Sequence, residues 1–493
     1  MNTPLPSGAP QAPETYQLLG RIAGPAVFAI MMLASGSQES MSPAAWSVAA
    51  VALWMAIWWA TEAVPVAVTA FLPLVLFEPL DISTLAEAAR PFSNPIIFLF
   101  LGGFVLALAL ERWNLHRRMA LFVLVRTGTD GCRLILSFMV VAALLSMWMT
   151  NTATAMLLLP IALSVSGVIC DNVEGLDEAE RARFRIALLL GLAYATSIGG
   201  LATLVGTPPN ALLIGFLKEQ YGLEISFARW MLVGIPVSLL LLPLAWWVLC
   251  HRIFPVKIPA SPKVLDHLAE LRARLGPMRP AERRVAWIFG LVVAAWILRI
   301  PVSAWLGLEG VTDAGIAMTA AVLLFTLPSS SASQPQLLSW QDASRLPWGV
   351  LILFGGGLSL AGAVSSSGLA LWLGESLSDL QSMDPILLLL ATVALVIFLT
   401  ELTSNLATAA TLLPVVGAIA LQAGLPPLLL LVPVTLAASC AFMLPVATPP
   451  NAIVFATGAI TIPQMIRAGF WLNLLGIGVI CLIGWFLAPH VFA

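Results

Sequence analysis

Thr150-Asn151-Thr152-Ala153-Thr154 and Ser404-Asn405-Leu406-Ala407-Thr408 are near copies of one another, and each has a proline, Pro160 or Pro414, nine residues after its asparagine. Each is followed by a second matched element, Gly206-Thr207-Pro208-Pro209-Asn210 or Ala447-Thr448-Pro449-Pro450-Asn451. The surroundings are Leu, Ala and Met. Polar side chains in such a setting are costly in a bilayer unless they line a cavity or hold a ligand. A duplicated pair of such sites points to a transporter that binds its cargo between two repeats.

The rest of the chain agrees with a bilayer setting. It is 60% hydrophobic and 10% charged, and long apolar runs such as Leu134–Met149 and Ile386–Thr400 recur from near residue 18 onward. The expectation is an all-α polytopic membrane protein of roughly ten to twelve spans. Residues 1–17, rich in Pro and lacking Lys and Arg, read as a disordered tail with no signal-peptide character. A net charge of −2 argues against nucleic acid as a partner. The five cysteines stand singly and the four histidines form no cluster, which argues against a zinc or haem site and leaves no resident cofactor.

Sliding the chain by 254 positions lays Asn151 on Asn405 and Phe100-Leu101-Gly102-Gly103 on Phe354-Gly355-Gly356-Gly357. The Thr-Pro-Pro-Asn elements align at 241 instead, so the first repeat carries an insertion of about a dozen residues, placed around the acidic stretch 171–177. Thr69-Ala70 pairs less firmly with Thr319-Ala320. The two repeats then occupy roughly 60–250 and 310–490, within halves of 18–250 and 285–493. Charge orients them. Residues 111–133 hold Arg112, Arg117, Arg118, Arg126 and Arg133, whereas the equivalent residues 365–384 hold Glu375, Asp379 and Asp384 and no basic residue. By the positive-inside rule these equivalent connections face opposite sides, which makes the repeat an inverted one. The connection 251–284, with eight basic and three acidic residues, reads as cytoplasmic and includes an amphipathic helix around Lys263–Leu275.

Residues 134–169 as a single helix would reach about 54 Å, against a hydrocarbon core of about 30 Å. Two half-length helices turning at Thr150–Thr152 fit better, as a re-entrant hairpin, with one long tilted helix as the alternative. At a hairpin tip, backbone carbonyls leave the helical ladder and can coordinate a hard cation. The oxygens of Ser146, Thr150, Asn151, Thr400, Thr403 and Asn405 suit the same task, and none titrates near neutrality, which favours Na⁺ over a proton relay. The Pro-Pro pairs break the preceding helix and start a new one, whose N-terminal dipole favours an anion.

Bland readings compete with these. A lone membrane Asn is commonly interhelical glue, and Pro-Pro a simple kink. Recurrence of both motifs in register and in matching order favours function. The glycine clusters at 102–103 and 355–357 are assigned to close helix packing. Glu62 and Glu401 are assigned structural roles, with a protonatable coupling group as the alternative for Glu401.

At these residues the chain resembles the divalent anion/sodium symporter family, the di- and tricarboxylate carriers called INDY-type transporters. The resemblance rests on Trp59-Ala60-Thr61-Glu62-Ala63-Val64-Pro65, on both tips, and on Ala441-Phe442-Met443-Leu444-Pro445-Val446-Ala447-Thr448-Pro449-Pro450-Asn451. It implies about eleven transmembrane helices with two re-entrant hairpins, and a homodimer in the plasma membrane with an elevator-like movement. It also implies one Na⁺ among Ser146, Thr150, Asn151 and Gly206, and another among Thr400, Thr403, Asn405 and Ala447. Substrate carboxylates would meet Asn151, Thr152, Ser404 and Asn405, near Pro449. Two departures stand out: Thr150 replaces the usual Ser and keeps a hydroxyl, and Leu406 replaces the usual Thr and loses one. The leading expectation is Na⁺-coupled symport of a C4-dicarboxylate. Sulfate or another small anion, dicarboxylate exchange without net Na⁺ coupling, a channel and a membrane-embedded enzyme are the alternatives.

Overall fold

A computed structural model describes residues 15–492, apart from 39, 127, 174–175, 309, 332–333 and 377–382. The first half runs through α1 (Thr15–Leu33), α2 (Pro43–Thr61), a short interrupted α3 (Val66–Leu76), α4 (Pro95–Arg112) and α5 (Leu115–Leu124). It continues with α6 (Gly131–Ser146), α7 (Asn151–Asn172), α8 (Glu178–Gly200), α9 (Pro208–Tyr221) and α10 (Phe227–Trp247). A connection carrying α11 (Pro262–Ala273) leads to α12 (Pro280–Leu306), α13 (Asp313–Thr326) and α14 (Trp348–Ser366). Then follow α15 (Pro385–Leu399), α16 (Asn405–Gln422), α17 (Pro427–Ala438), α18 (Pro449–Phe455) and α19 (Ile462–Phe486). Ten helices among the described residues are long and apolar enough to cross a membrane. The fold departs from pure helix at one antiparallel pairing of Pro328–Ser331 with Gln334–Gln336. Helix α1 begins at Thr15, inside the expected tail; the tail's residues 1–14, Asp379 of the acidic connection, and 174–175 of the insertion lie outside the described residues.

Both expected hairpins are present, with the break slightly earlier than the motif suggested. The chain leaves α6 after Ser146, turns through 147–150, and re-enters helix at Asn151; in the second repeat it leaves α15 after Leu399 and re-enters at Asn405. Thr150 and Ser404 cap the new helices, their hydroxyls accepting the Ala153 and Ala407 N–H groups, each at 3.2 Å. A single tilted helix is thereby excluded. The expectation of half-length arms needs correction. The entering arms of 16 and 15 residues are short, about 24 and 23 Å, but the departing arms of 22 and 18 residues run about 33 and 27 Å. Pro160 and Pro414 sit inside those departing arms without ending them. Both arms of the first hairpin touch one connection: the Gly131 N–H donates to Ile258 O at 3.0 Å, and Ser164 Oγ, within α7, lies 2.8 Å from His267 Nε2 on α11.

The repeats exchange partners. Gly102 of α4 packs against α13 of the other repeat so closely that a Cβ there would lie 2.6 Å from the Ala317 backbone. Gly356 of α14 packs reciprocally against α3, where a Cβ would lie 2.4 Å from Ala70 O. Neither position admits any side chain without moving backbone, which accounts for the glycine clusters as packing features. The same exchange recurs at the site: α18 packs on α7, and α9 packs on α16.

Candidate functional site

Each tip closes on itself with the same side-chain bond. Ser146 Oγ donates to Asn151 Oδ1 at 2.6 Å, and Thr400 Oγ1 donates to Asn405 Oδ1 at 3.0 Å, with Ala438 O 2.8 Å away. Ser146 and Thr400 are fully buried behind the asparagines. Opposite the first tip, α8 stops at Gly200 and the chain crosses residues 201–207 without helix before Pro208 opens α9. Gly200 is held between the tip and this loop: a Cβ there would lie 2.8 Å from Asn151 Oδ1 and 3.1 Å from Gly206 O. The structure thus brings Ser146, Asn151 and Gly206 together as a knot of oxygen atoms.

The Thr-Pro-Pro-Asn asparagines turn out to be loop clamps. Fully buried Asn210 donates from Nδ2 to the carbonyls of Gly200, Leu201 and Thr203 at 3.3, 3.4 and 2.8 Å. Asn451 does the same for Ala441 and Leu444 at 3.2 and 3.0 Å. Carbonyls freed by the helix break are therefore in part tied by a side chain, where the sequence alone suggested open ligands. Thr203 adds a link that the sequence did not reveal. Its hydroxyl donates to Met147 O at 2.5 Å and accepts the Gly206 N–H at 3.1 Å, joining the loop to the hairpin tip.

Glu401 serves the second loop in an analogous way. Its buried carboxylate accepts the N–H groups of Phe442, Met443 and Leu444 at 2.7, 2.9 and 3.2 Å and the Asn473 Nδ2 at 2.8 Å. This is a scaffold for residues 439–448, since a carboxylate filled by four donors has little capacity left for a ligand. Glu62 is likewise structural: it ends α2 in the left-handed region at φ 45°, with its N–H donating to Trp58 O.

All four elements meet on one cavity of about 490 Å³. Its wall includes Thr150, Asn151 and Thr152 from the first tip, Ser404, Asn405 and Leu406 from the second, Gly206–Pro209, and Ala447–Pro450. Four helix N-termini thus point at one space. The wall also includes Phe104, Ala107, Leu108 and Glu111 of α4 and Arg345, Leu346, Pro347 and Val350 around the start of α14. None of these was legible as site residues, because apolar helix positions and loop charges have no distinguishing pattern. Leu406 is 7% exposed and belongs to the lining. Thr403 does not: its hydroxyl donates to Leu399 O at 3.1 Å, lies 2.5 Å from Thr408 Oγ1, and faces a separate crevice beside Trp59.

Residues 16–491 match the family described as the sodium:sulfate symporter transmembrane region. The chain belongs to that family. A sodium-dependent dicarboxylate transporter, SdcS, of Staphylococcus saprophyticus is 43% identical over 478 residues, covering 96% of this chain and 92% of the relative. Its namesake in Staphylococcus aureus strain MRSA252 is 42% identical over 483 residues, covering 97% and 92%. Among solved structures, the YdaH transporter of Alcanivorax borkumensis superposes with a TM-score of 0.56 at 16% identity, covering 84% of this chain and 89% of that one. MtrF of Neisseria gonorrhoeae gives 0.55 at 12% identity, covering 81% and 83%. At such identities the two structures speak for the fold alone: a polytopic, predominantly helical architecture. The family membership and the ten apolar helices make the chain a multi-pass membrane protein.

Proposed function

We propose that this chain is a secondary active carrier of the plasma membrane that couples Na⁺ to the symport of a C4-dicarboxylate such as succinate, malate or fumarate. One observation carries the reading. Two in-register oxygen-rich tips and four helix N-termini converge on a single cavity with no fixed positive charge at the tips. Oxygen donors beneath and N–H donors around the cavity suit a hard cation beside an anion. The names of the relatives support the same ion and substrate class.

Asn151 and Asn405 are the natural points of coupling. Each amide carries an acceptor oxygen, directed at Ser146 or Thr400, and an NH₂ donor on the same planar group. A cation on the oxygen fixes the amide, and the fixed amide presents its donors to a carboxylate in the cavity. Binding one ligand lowers the cost of ordering the site for the other, which is what coupling requires. We assign Ser146, Thr150, Asn151 and Gly206 to one Na⁺, and Thr400, Asn405 and Ala447 to the other. Thr403 is left out of this second set, since its hydroxyl is engaged by Leu399 and Thr408 and faces the crevice beside Trp59. Thr152, Ser404 and Pro449 complete the carboxylate contacts. An anion with two separated charged ends fits two separate tips better than sulfate does. The halves 18–250 and 285–493, joined by 251–284, form an inverted repeat whose tips move as a body against α4 and α14, in an elevator-like exchange within a homodimer.

The test is uptake of radiolabelled succinate into proteoliposomes under an imposed Na⁺ gradient, with sulfate as a competitor. Uptake should collapse when choline replaces Na⁺, and Asn151→Ala or Asn405→Ala should abolish it while the protein still folds. Uptake indifferent to Na⁺ would favour exchange, and near-normal uptake by either variant would remove that tip from the site.

A further inference from the structure

Among the described residues lining the cavity, two carry a formal charge, and they face each other at its mouth. Arg345, just ahead of α14, holds Glu111, near the end of α4, at 2.9 Å. Beside this pair runs a second one between the same two segments, Arg112 with Asp342. The two pairs differ in their surroundings. Arg112 and Asp342 are 17% and 9% exposed, and Asp342 is further fixed by the Ser339 N–H at 2.8 Å and the Ser339 hydroxyl at 2.7 Å. Arg345 and Glu111 are 57% and 42% exposed. One bridge is an anchor; the other is weakly held, as half-exposed ion pairs are.

We propose that Arg345 is a specificity-determining residue at the cavity mouth, exchanging the Glu111 carboxylate for a carboxylate of the incoming or departing substrate. The proposal rests on the dicarboxylate reading above. A dianion in the cavity meets only partial charges at the helix N-termini and hydroxyl or amide dipoles at the tips. Arg345 is the one full positive charge in the described lining, and its guanidinium presents the planar fork that carboxylates match. Glu111 and a substrate carboxylate are the same chemical group, so the swap replaces one bridge with an equivalent one. The buried Arg112–Asp342 pair keeps the segment in place while it happens. Glu111 in turn competes with substrate, which keeps the mouth from becoming a trap.

The experiment is steady-state succinate transport at saturating Na⁺ in proteoliposomes, for Arg345→Gln, Glu111→Gln, the double variant and Arg345→Lys. Arg345→Gln should raise KM five- to tenfold with a change in maximal rate below twofold. Glu111→Gln should lower KM by removing the competitor, and the double variant should behave as Arg345→Gln. Arg345→Lys should recover part of the affinity. Opposite signs for the two single variants are the signature, since a merely structural bridge is broken equally from either side. KM shifts in the same direction, or an unchanged KM in Arg345→Gln, overturn the proposal. A wild-type protein without Na⁺-driven succinate uptake overturns the functional reading itself, a result that no variant is needed to see.

Discussion

At position 406 a leucine borders a cavity whose other tip offers a threonine hydroxyl at 152. The two halves of the site therefore differ by one hydrogen-bond donor in otherwise matched surroundings. A hydrogen bond to a charged group contributes roughly 1.5–3 kcal/mol, about ten- to hundredfold in affinity. Leu406→Thr is expected to lower the KM for succinate or malate by an amount in that range. The residue is 7% exposed, so the new hydroxyl would stand at the cavity wall with little freedom to turn to bulk water. Transport kinetics across a series of dicarboxylates measure the effect; an unchanged profile would place the side chain outside the substrate's reach. Thr403 and Leu406 together show what spacing can and cannot reveal. Both lie within three residues of Asn405, yet one faces the cavity and the other a crevice behind it.

Between elements, the glycine contacts set the distances on which the site depends. Gly102 and Gly356 bring α4 onto α13 and α14 onto α3, and α4 and the start of α14 line the same cavity as the tips. Gly356→Ala would press a methyl group to within 2.4 Å of Ala70 O, and overpacking of this kind costs about 1–3 kcal/mol. Gly290→Ala in α12 has nothing within 4 Å of its new Cβ and is expected to be neutral or mildly stabilising. Thermal unfolding of the two variants in detergent separates the cases: a lowered midpoint for Gly356→Ala alone supports the packing account, and equal midpoints contradict it. The loops opposite the tips follow the same logic of held geometry. The Nδ2 atoms of Asn210 and Asn451 and the carboxylate of Glu401 bond loop backbone, which holds residues 201–207 and 439–448 in shape where no helix does so.

For the whole molecule, the proposal that decides most is that equivalent connections lie on opposite sides of the bilayer. The basic connection 111–133 and the acidic 365–384 are expected on different faces. Single cysteines at Arg126 and Glu375, in a background freed of the five native ones, should react with a membrane-impermeant reagent from opposite sides. Labelling from one side would remove the inverted repeat.

The sequence by itself determined the class of protein, the repeat, the two hairpins and most of the tip residues. These are legible because each depends on local chemistry: apolar runs long enough for a bilayer, prolines that open a helix, hydroxyls that cap one, and polar groups that find no partner in lipid. The departing hairpin arms run longer than the half-length expected, because α7 and α16 continue through Pro160 and Pro414. Only the tertiary structure decided that the repeats exchange partners, that the Thr-Pro-Pro-Asn amides clamp loops, and that α4 and the start of α14 close the cavity. Those outcomes rest on contacts between residues hundreds of positions apart, such as Glu111 with Arg345 and Gly102 with Ala317. Nothing in the local composition of either partner announces such a contact; it exists because the tertiary fold lays a small-residue face of one half against the other half.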